Sequence, residues 1–283
     1  MLRLFGRMPE ACALLLGGFD GFHVGHRSLL NEAKKSGLAA GLTSFSGCKG
    51  GEVFSFEERE IVFRREGFAF ADERRFDDTL RNTSAEDFLG ELFEKFPIKA
   101  VYCGEDFRFG KNAEGDAALL KRFAPCPVYA LPLKTENGQK VSASRIKALL
   151  SEGKISEANA LLGYGYFMRG VVEEGRRVGR TLGFPTANLS VPADKFAVKE
   201  GVYGGRAETK FGTFPAILNF GARPTFGVRE KKLEVYLKGF SGNLYQSTIN
   251  VYPVKYLRSI RKFASEEELA AQLDRDKAQL EEL

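Results

Sequence analysis

The chain has no tryptophan, and only two histidines and four cysteines among 283 residues. The cysteines stand far apart, at positions 12, 48, 103 and 126, and no CxxC pair occurs. That scarcity argues against a zinc site and a disulfide framework, and it suits a reducing compartment. Long hydrophobic runs are also missing. None approaches the roughly 20 apolar residues that span a bilayer, so no membrane partner is expected. The opening segment MLRLFGRMPEACALLLGG carries two arginines, then Pro9, then the short run Ala11–Leu16. It reads as a buried strand and not as a secretion signal. Neither sign of charge dominates: 42 basic against 37 acidic residues leave a net +5. Such a diffuse excess suits nucleotide-like anions, whereas a nucleic-acid binder gathers its charge on one face, so no nucleic-acid partner is expected. The cytoplasm is the expected location, and the oligomeric state is left open.

With no tryptophan, the 25 phenylalanines carry the aromatic packing. Hydrophobic and charged shares of 43% and 28% fit a globular protein, and the length suggests two domains at roughly 150 residues each.

Two textures divide the chain. Apolar strands at Ala11–Leu16, Leu38–Ser44, Ile98–Cys103 and Val128–Leu133 alternate with helical patterns. Helices are expected from His26 to Lys35, after Ser55 with Glu58 in capping-box spacing, and after Thr83 with Glu86. Further helices are expected at 115–123 and 144–162, the latter closed by Gly163. Alternation of this kind predicts a parallel α/β sheet over about the first 160 residues. From Tyr166 to about Ile260, glycines punctuate short strands at 166–172, 201–207, 214–219, 233–237 and 248–252. That predicts an antiparallel sheet or small barrel. A terminal helix follows, capped by Ser265 with Glu268, its apolar face marked by Leu269, Leu273, Leu280 and Leu283.

Both histidines fall in LGGFDGFHVGHRSLL, between a strand and a helix. Ligands of open α/β sheets bind at the carboxyl ends of strands, and a helix start offers free N–H groups to phosphate. His23 and His26 can donate hydrogen bonds to a pentavalent phosphate without permanent charge. A metal site from this pair alone lacks further ligands.

The string GxFDGxHxGH resembles the HxGH signature of nucleotidylyltransferases. The longer pattern resembles the bifunctional prokaryotic riboflavin kinase/FAD synthetase family. VYCGEDFRFGKNAEGD is similar to that family's GxDFxFG stretch, and VSASRIKALL to its SSTxIR segment. The resemblance implies a Rossmann-like nucleotidylyltransferase domain with a parallel sheet over residues 1–163. It would adenylylate FMN with ATP, giving FAD and pyrophosphate. It also implies ATP-phosphate roles for His23 and His26, with Asp20 and Asp106 near the nucleotide. Ser142, Ser144 and Lys147 match the second phosphate-handling motif; from the residues alone, the serines also fit turn or cap positions and Lys147 a solvent-facing helix position.

Two departures stand out. Lys147 replaces the family's usual Arg and loses its planar fork. TSFSGCKG, residues 43–50, replaces a TFxPHP-like string. They leave a riboflavin kinase with weak or lost adenylyl transfer as the alternative reading.

A second anion-type segment is GVVEEGRRVGRTLGFPTANLSVP, residues 170–192. Gly175, Gly179 and Gly183 allow tight turns, Arg180 is a candidate cation, and Thr186 and Asn188 share one side of an extended segment. Their oxygens suit Mg²⁺ beside ATP, though a structural turn fits the spacing nearly as well. The segment resembles the riboflavin kinase signature. This implies a small antiparallel β-barrel with a terminal helix over 164–283, making FMN from riboflavin and ATP. NFGARPTFG and LEVYLKGFSGNLYQ continue the likeness, and Glu234 matches the family's catalytic base. By patterning alone Glu234 is equally a solvent-facing strand residue. Gly239 and Asn243 stand where the family has Asp. Arg258 and Phe263 match its flavin-side R…KF segment, although ordinary packing explains Phe263 and a solvated basic face explains Arg258 too. A nucleotidylyltransferase with another acceptor has no need of the 166–263 region, and a flavin-storage protein would leave both phosphate motifs unexplained.

Overall fold

The computed structural model describes every residue except 48–49, 175–183, 193, 226–227 and 282–283; the side chains of 222–231 and 266 are also outside the description. Cys48, Gly175, Gly179, Arg180, Gly183 and Leu283 therefore lie outside the described residues. The chain forms two compact units, Met1–Arg145 and Ile146–Leu283.

The first unit is an α/β sheet. Its elements run β1 (Leu2–Leu4), β2 (Cys12–Leu16), α1 (Val24–Lys34), β3 (Ala39–Ser46), α2 (Phe56–Glu66), β4 (Phe70–Arg75) and α3 (Asp78–Asn82). They continue with α4 (Ala85–Lys95), β5 (Ile98–Gly104), α5 (Ala117–Phe123), β6 (Val128–Leu131) and a small hairpin, β7 (Thr135–Glu136) and β8 (Gln139–Lys140). Strand order is β1-β4-β3-β2-β5-β6. β2 to β6 are parallel, and only the edge strand β1 pairs antiparallel, with β4. Every residue of β2 is buried, as a central strand covered on both faces requires. From β2 the chain winds one way through β3 and β4, then the other way through β5 and β6. The switch point thus lies between the carboxyl ends of β2 and β5, where such sheets hold ligands.

Local chemistry sets the helix ends. The capping box of α2 forms as expected: Ser55 accepts from the Glu58 N–H, Glu58 accepts from the Ser55 N–H, and Gly67 closes the helix in the left-handed region (φ 85). The cap of α4 is Ser84, accepting from Asp87 N, and not Thr83. Both hydroxyls fit the pattern, and Thr83 is used instead to end α3, its hydroxyl donating to the Thr79 carbonyl. β1, β4 and the β7–β8 hairpin are absent from the sequence expectation; β4 alternates charge too heavily (FADERR) to look like an interior strand.

The unit division falls inside α6 (Ala143–Glu152), which is followed by α7 (Ile155–Leu162). The helical stretch expected over 144–162 is divided in two at Gly153 (φ 78), a conformation that ends helices. Gly163 caps α7 in the left-handed region as expected (φ 77). Strands β9 (Met168–Glu173), β10 (Thr186–Ser190), β11 (Gly201–Thr209), β12 (Gly212–Thr225), β13 (Val228–Leu237) and β14 (Thr248–Arg258) close into an antiparallel barrel ordered β10-β13-β12-β11-β14-β9. Closure removes free sheet edges. Alternate residues fill the interior, among them Leu189, Leu218, Leu233 and Val235, all buried. At Gly205 the chain passes so close to β14 that a Cβ would lie 2.0 Å from the Tyr252 carbonyl oxygen.

Helix α8 (Glu266–Glu281) packs outside the barrel, with Leu280 against Val202 and Ile217. Ser265 caps it by accepting from Glu268 N (3.3 Å). Its most buried positions are Gln272, Asp276 and Leu280, whereas Leu269 and Leu273 are only half-buried. A buried ion pair replaces part of the expected leucine face. Arg258 donates from Nε and Nη2 to the fully buried Asp276 (3.0 and 2.7 Å), and Gln272 completes the network at 2.8 Å.

Candidate functional site

The first site grows out of the β2–α1 turn. Phe19 and Phe22 hold positive φ (47 and 27), a strained conformation for bulky side chains, and both are wholly buried. Their burial offsets the strain: Phe22 meets Phe63 and Phe68 edge-on at 5.7 and 5.3 Å, and Phe19 meets the His26 ring at 4.9 Å. The turn is thereby fixed in a shape that local preference does not supply.

His23 is the N-cap of α1, its Nδ1 accepting from the His26 N–H at 3.4 Å. An accepting Nδ1 leaves Nε2–H as the donor of a neutral ring. The two imidazoles stack at 3.7 Å with 14° between planes. Gly25 makes room for this stack, since a Cβ there would come 3.1 Å from the His23 ring. Burial lowers the His23 pKa from 6.5 to about 4, helped by the positive charge of Lys140. Burial also pushes His26 well down, followed by the His23 and Lys140 charges. The pair is therefore uncharged at neutral pH. His26 Nδ1 has no hydrogen-bond partner among the described residues.

A cavity of about 710 Å³ opens at the switch point, bordered by Gly17, His23, His26, Asp106, Lys140 and Ser142. Phe45, Phe88, Phe107 and Phe109 give it an apolar side. A ring system and a phosphate chain can share such a space. Asp20 lines it too, and its carboxylate accepts from Val53 N at 2.8 Å. The wall beyond β3 is tied by a buried cluster that the sequence reading missed. Arg59, 1% exposed, donates to Glu52 (2.9 Å), Glu73 (3.2 Å) and the Phe45 carbonyl (3.3 Å), while Glu52 accepts from Gly47 N (2.7 Å). An arginine in a charged helix gives no sequence signal of burial.

The second phosphate motif is divided. Ser142 lines the cavity, and its hydroxyl accepts from Arg145 N (3.3 Å) at the start of α6. Ser144 is exposed and does not line it. Lys147 belongs to the second unit, with its ammonium 6.0 Å from the Phe196 ring centroid.

In the barrel, register gathers the other candidates. Asn188 on β10 faces Glu234 on β13, which on its other side faces Asn219 on β12. Directly opposed residues of antiparallel strands share a face, as do Thr186 and Asn188, two apart on one strand. Thr186, Asn188, Glu234 and Asn219 therefore lie together on the face opposite Leu189 and Leu233. Glu173 joins the row beside Asn188. Asn219 Oδ1 is buried with no hydrogen-bond partner among the described residues. Hydroxyl, amide and carboxylate oxygens are the donor set of a hard cation such as Mg²⁺. Among the described residues, no cluster of three His, Cys, Asp or Glu side chains could hold a metal by itself. Asn219 lies in a motif quoted above, but its membership of this row depends on register, which the linear sequence does not display. Arg258 and Phe263 lie near α8: Arg258 binds Asp276, and the Phe263 ring has the Arg258 and Arg261 guanidiniums 5.8 and 4.7 Å from its centroid.

A parallel sheet with a nucleotidyltransferase-like loop at its switch point, joined to a closed antiparallel barrel with a polar oxygen row, defines a two-unit transferase class. Comparison with known proteins agrees unit by unit. Residues 6–145 match the FAD synthetase family and residues 162–283 the riboflavin kinase family. The bifunctional riboflavin kinase/FMN adenylyltransferase of Escherichia coli K12 is 32% identical, over 94% of this chain and 91% of that protein. The Bacillus subtilis protein of the same description is 29% identical, over 93% and 90%. A Streptococcus pneumoniae crystal structure described as a macrolide-efflux protein has a TM-score of 0.87 and 27% identity, covering 98% of this chain and 96% of that one. No helix among the described residues is long and apolar enough to cross a membrane. The chain belongs to the bifunctional riboflavin kinase/FMN adenylyltransferase family.

Proposed function

We propose that the barrel unit converts riboflavin and ATP to FMN and ADP, and that the sheet unit converts FMN and ATP to FAD and pyrophosphate. What supports this is one polar constellation in each unit: the neutral histidine stack at the sheet's switch point and the Asn188–Glu234–Asn219 row on the barrel.

In the first reaction the 5′-hydroxyl of the ribityl chain attacks the γ-phosphorus of ATP. Its proton passes to the Glu234 carboxylate, and the bond to ADP breaks. Thr186 and Asn188 would hold Mg²⁺ on the phosphates, where the ion neutralises charge. Asn219 Oδ1 provides a buried acceptor beside Glu234 for a substrate hydroxyl. On the flavin side, Arg258 and Phe263 would form part of the pocket wall. In the second reaction a phosphate oxygen of FMN attacks the α-phosphorus of ATP. The α–β bridge breaks, and its electron pair leaves with pyrophosphate. His23 and His26 donate hydrogen bonds as neutral rings and need move no proton. Ser142 and the α1 and α6 helix starts offer donors to the phosphates. Asp106 borders the same cavity, whereas Ser144 and Lys147, the other residues of the motif match, lie outside its lining. The buried thiols of Cys12 and Cys103, together with two ATP-consuming steps, fit a cytoplasmic setting.

One incubation of riboflavin, ATP and Mg²⁺, followed in time for FMN and FAD, tests the assignment. His26→Ala should accumulate FMN, and Glu234→Ala should slow riboflavin consumption by about 10²–10⁴-fold. Riboflavin phosphorylation without any pyrophosphate release from FMN would leave a kinase alone.

A further inference from the structure

A cavity that takes the triphosphate of ATP must meet several negative charges, yet its two histidines are neutral. Lys147, the cation that motif matching offers, is held near Phe196, and the lining of the cavity ends at Ala143. The cations that do line it are Arg81, Arg108, Lys134 and Lys140. Arg81 lies over the Phe76 ring at 5.1 Å and pairs with Asp78 at 3.7 Å, and Arg108 donates to the Phe107 carbonyl at 2.9 Å.

Lys140 is placed differently. It ends the β7–β8 hairpin and stands two residues before Ser142, so in an extended segment the two project to the same side, and both border the cavity. The hairpin is held firmly. Asn137 and Gly138 take the positive φ values of its turn (53 and 72). Arg145 Nη1 donates to the carbonyls of Glu136 (3.1 Å) and Gln139 (3.3 Å), and Val141 N donates to the Lys134 carbonyl (2.9 Å). The Lys140 ammonium pairs with the Asp106 carboxylate from the β5 side of the cavity, and both side chains are about half exposed. Its charge is felt by both imidazoles.

We infer that Lys140 is the cation that binds the ATP phosphates for adenylyl transfer, held by Asp106 until the nucleotide enters and then transferred to the departing pyrophosphate. The inference rests on the reading that this cavity performs adenylyl transfer. A half-exposed ion pair is weak in water, so exchange of one carboxylate for a polyphosphate is easily driven. As the α–β bridge breaks, negative charge gathers on the leaving oxygens, and an ammonium in place stabilises that state more than the ground state.

The full chain with Lys140→Gln, Lys140→Arg and Lys147→Gln tests this through pyrophosphate release from FMN and ATP, with riboflavin phosphorylation as the internal control. Lys140→Gln should lower kcat/KM for ATP in FAD formation by about ten- to a hundredfold, the loss of one charge-assisted contact, and should flatten its dependence on ionic strength. Lys140→Arg should stay within about threefold, and riboflavin phosphorylation should be unchanged in both. Lys147→Gln should cost less than Lys140→Gln. Pyrophosphate release by Lys140→Gln within about twofold of the unsubstituted chain overturns the inference and leaves the reading intact. Equal losses in the Gln and Arg variants, with an unchanged salt dependence, also overturn it, because they mark a purely structural role. If the unsubstituted chain releases no pyrophosphate, the reading falls and the inference with it.

Discussion

Acid exposes the histidine stack. His23 has its pKa lowered from 6.5 to about 4, and His26 is lowered as well, in both cases first by burial. Unfolding returns each imidazole to water and its ordinary pKa. Below pH 6.5 the unfolded chain therefore binds more protons than the folded one, and stability falls as pH falls. The contribution is complete above the unfolded pKa and is lost progressively toward pH 4. Each uncharged imidazole costs about 1.4 kcal/mol per pH unit in that window. Because the unfolded ring is only half protonated at pH 6.5, the two together remove about 3 kcal/mol between pH 6.5 and 5, a large share of the usual 5–15 kcal/mol of a domain. With only two histidines in the chain, imidazole proton NMR gives two sets of signals and little assignment ambiguity. Neither should titrate in the folded protein between pH 8 and pH 5, and urea midpoints for the sheet unit should drop over pH 6.5 to 5. His23→Asn keeps an N-cap acceptor while removing one titrating ring, so it should roughly halve the slope. Either imidazole titrating near 6.5 in the folded chain would refute the argument, and with it the picture of uncharged donors at the phosphate.

Two further predictions concern packing. Asp276→Ala leaves Arg258 without its partner in a largely buried network and should destabilise the barrel unit by about 3 kcal/mol, read as a lower thermal midpoint. An unchanged midpoint would mean that α8 does not depend on this pair. Gly25→Ala places a Cβ 3.1 Å from the His23 ring and should displace the stack, slowing FAD formation by up to about a hundredfold. FMN formation should be untouched, and equal losses in both reactions would count against a local effect.

The units differ in how openly the sequence displays them. Ala11–Leu16 is apolar throughout, and Ile98–Cys103 is apolar but for the exposed Lys99, so burial of these strands can be read almost directly. β4, with Asp72, Glu73 and Arg74, cannot be read that way, because its charges find partners on other elements: the fully buried Asp72 pairs with Lys95 (2.9 Å), Glu73 with Arg59 (3.2 Å) and Arg74 with Glu91 (2.9 Å). Asp276 and Arg59 are hidden for the same reason. A buried charge is tolerated only beside its partner, and the partner is set by tertiary contact.

The sequence by itself determined the alternation of the main apolar strands with helices, the change from sheet-like to barrel-like texture along the chain, and the two phosphate-type motifs. Each depends on residues close together along the chain: apolar periodicity, caps, and glycines beside histidines. Tertiary structure alone decided which motif residues meet. Register placed Asn219 beside Glu234, the crossing from β2 to β5 brought Asp106 and Lys140 to the histidine turn, and a helix running into the second unit carried Lys147 to Phe196. Such meetings depend on contacts between segments far apart in the chain, and no local pattern encodes them.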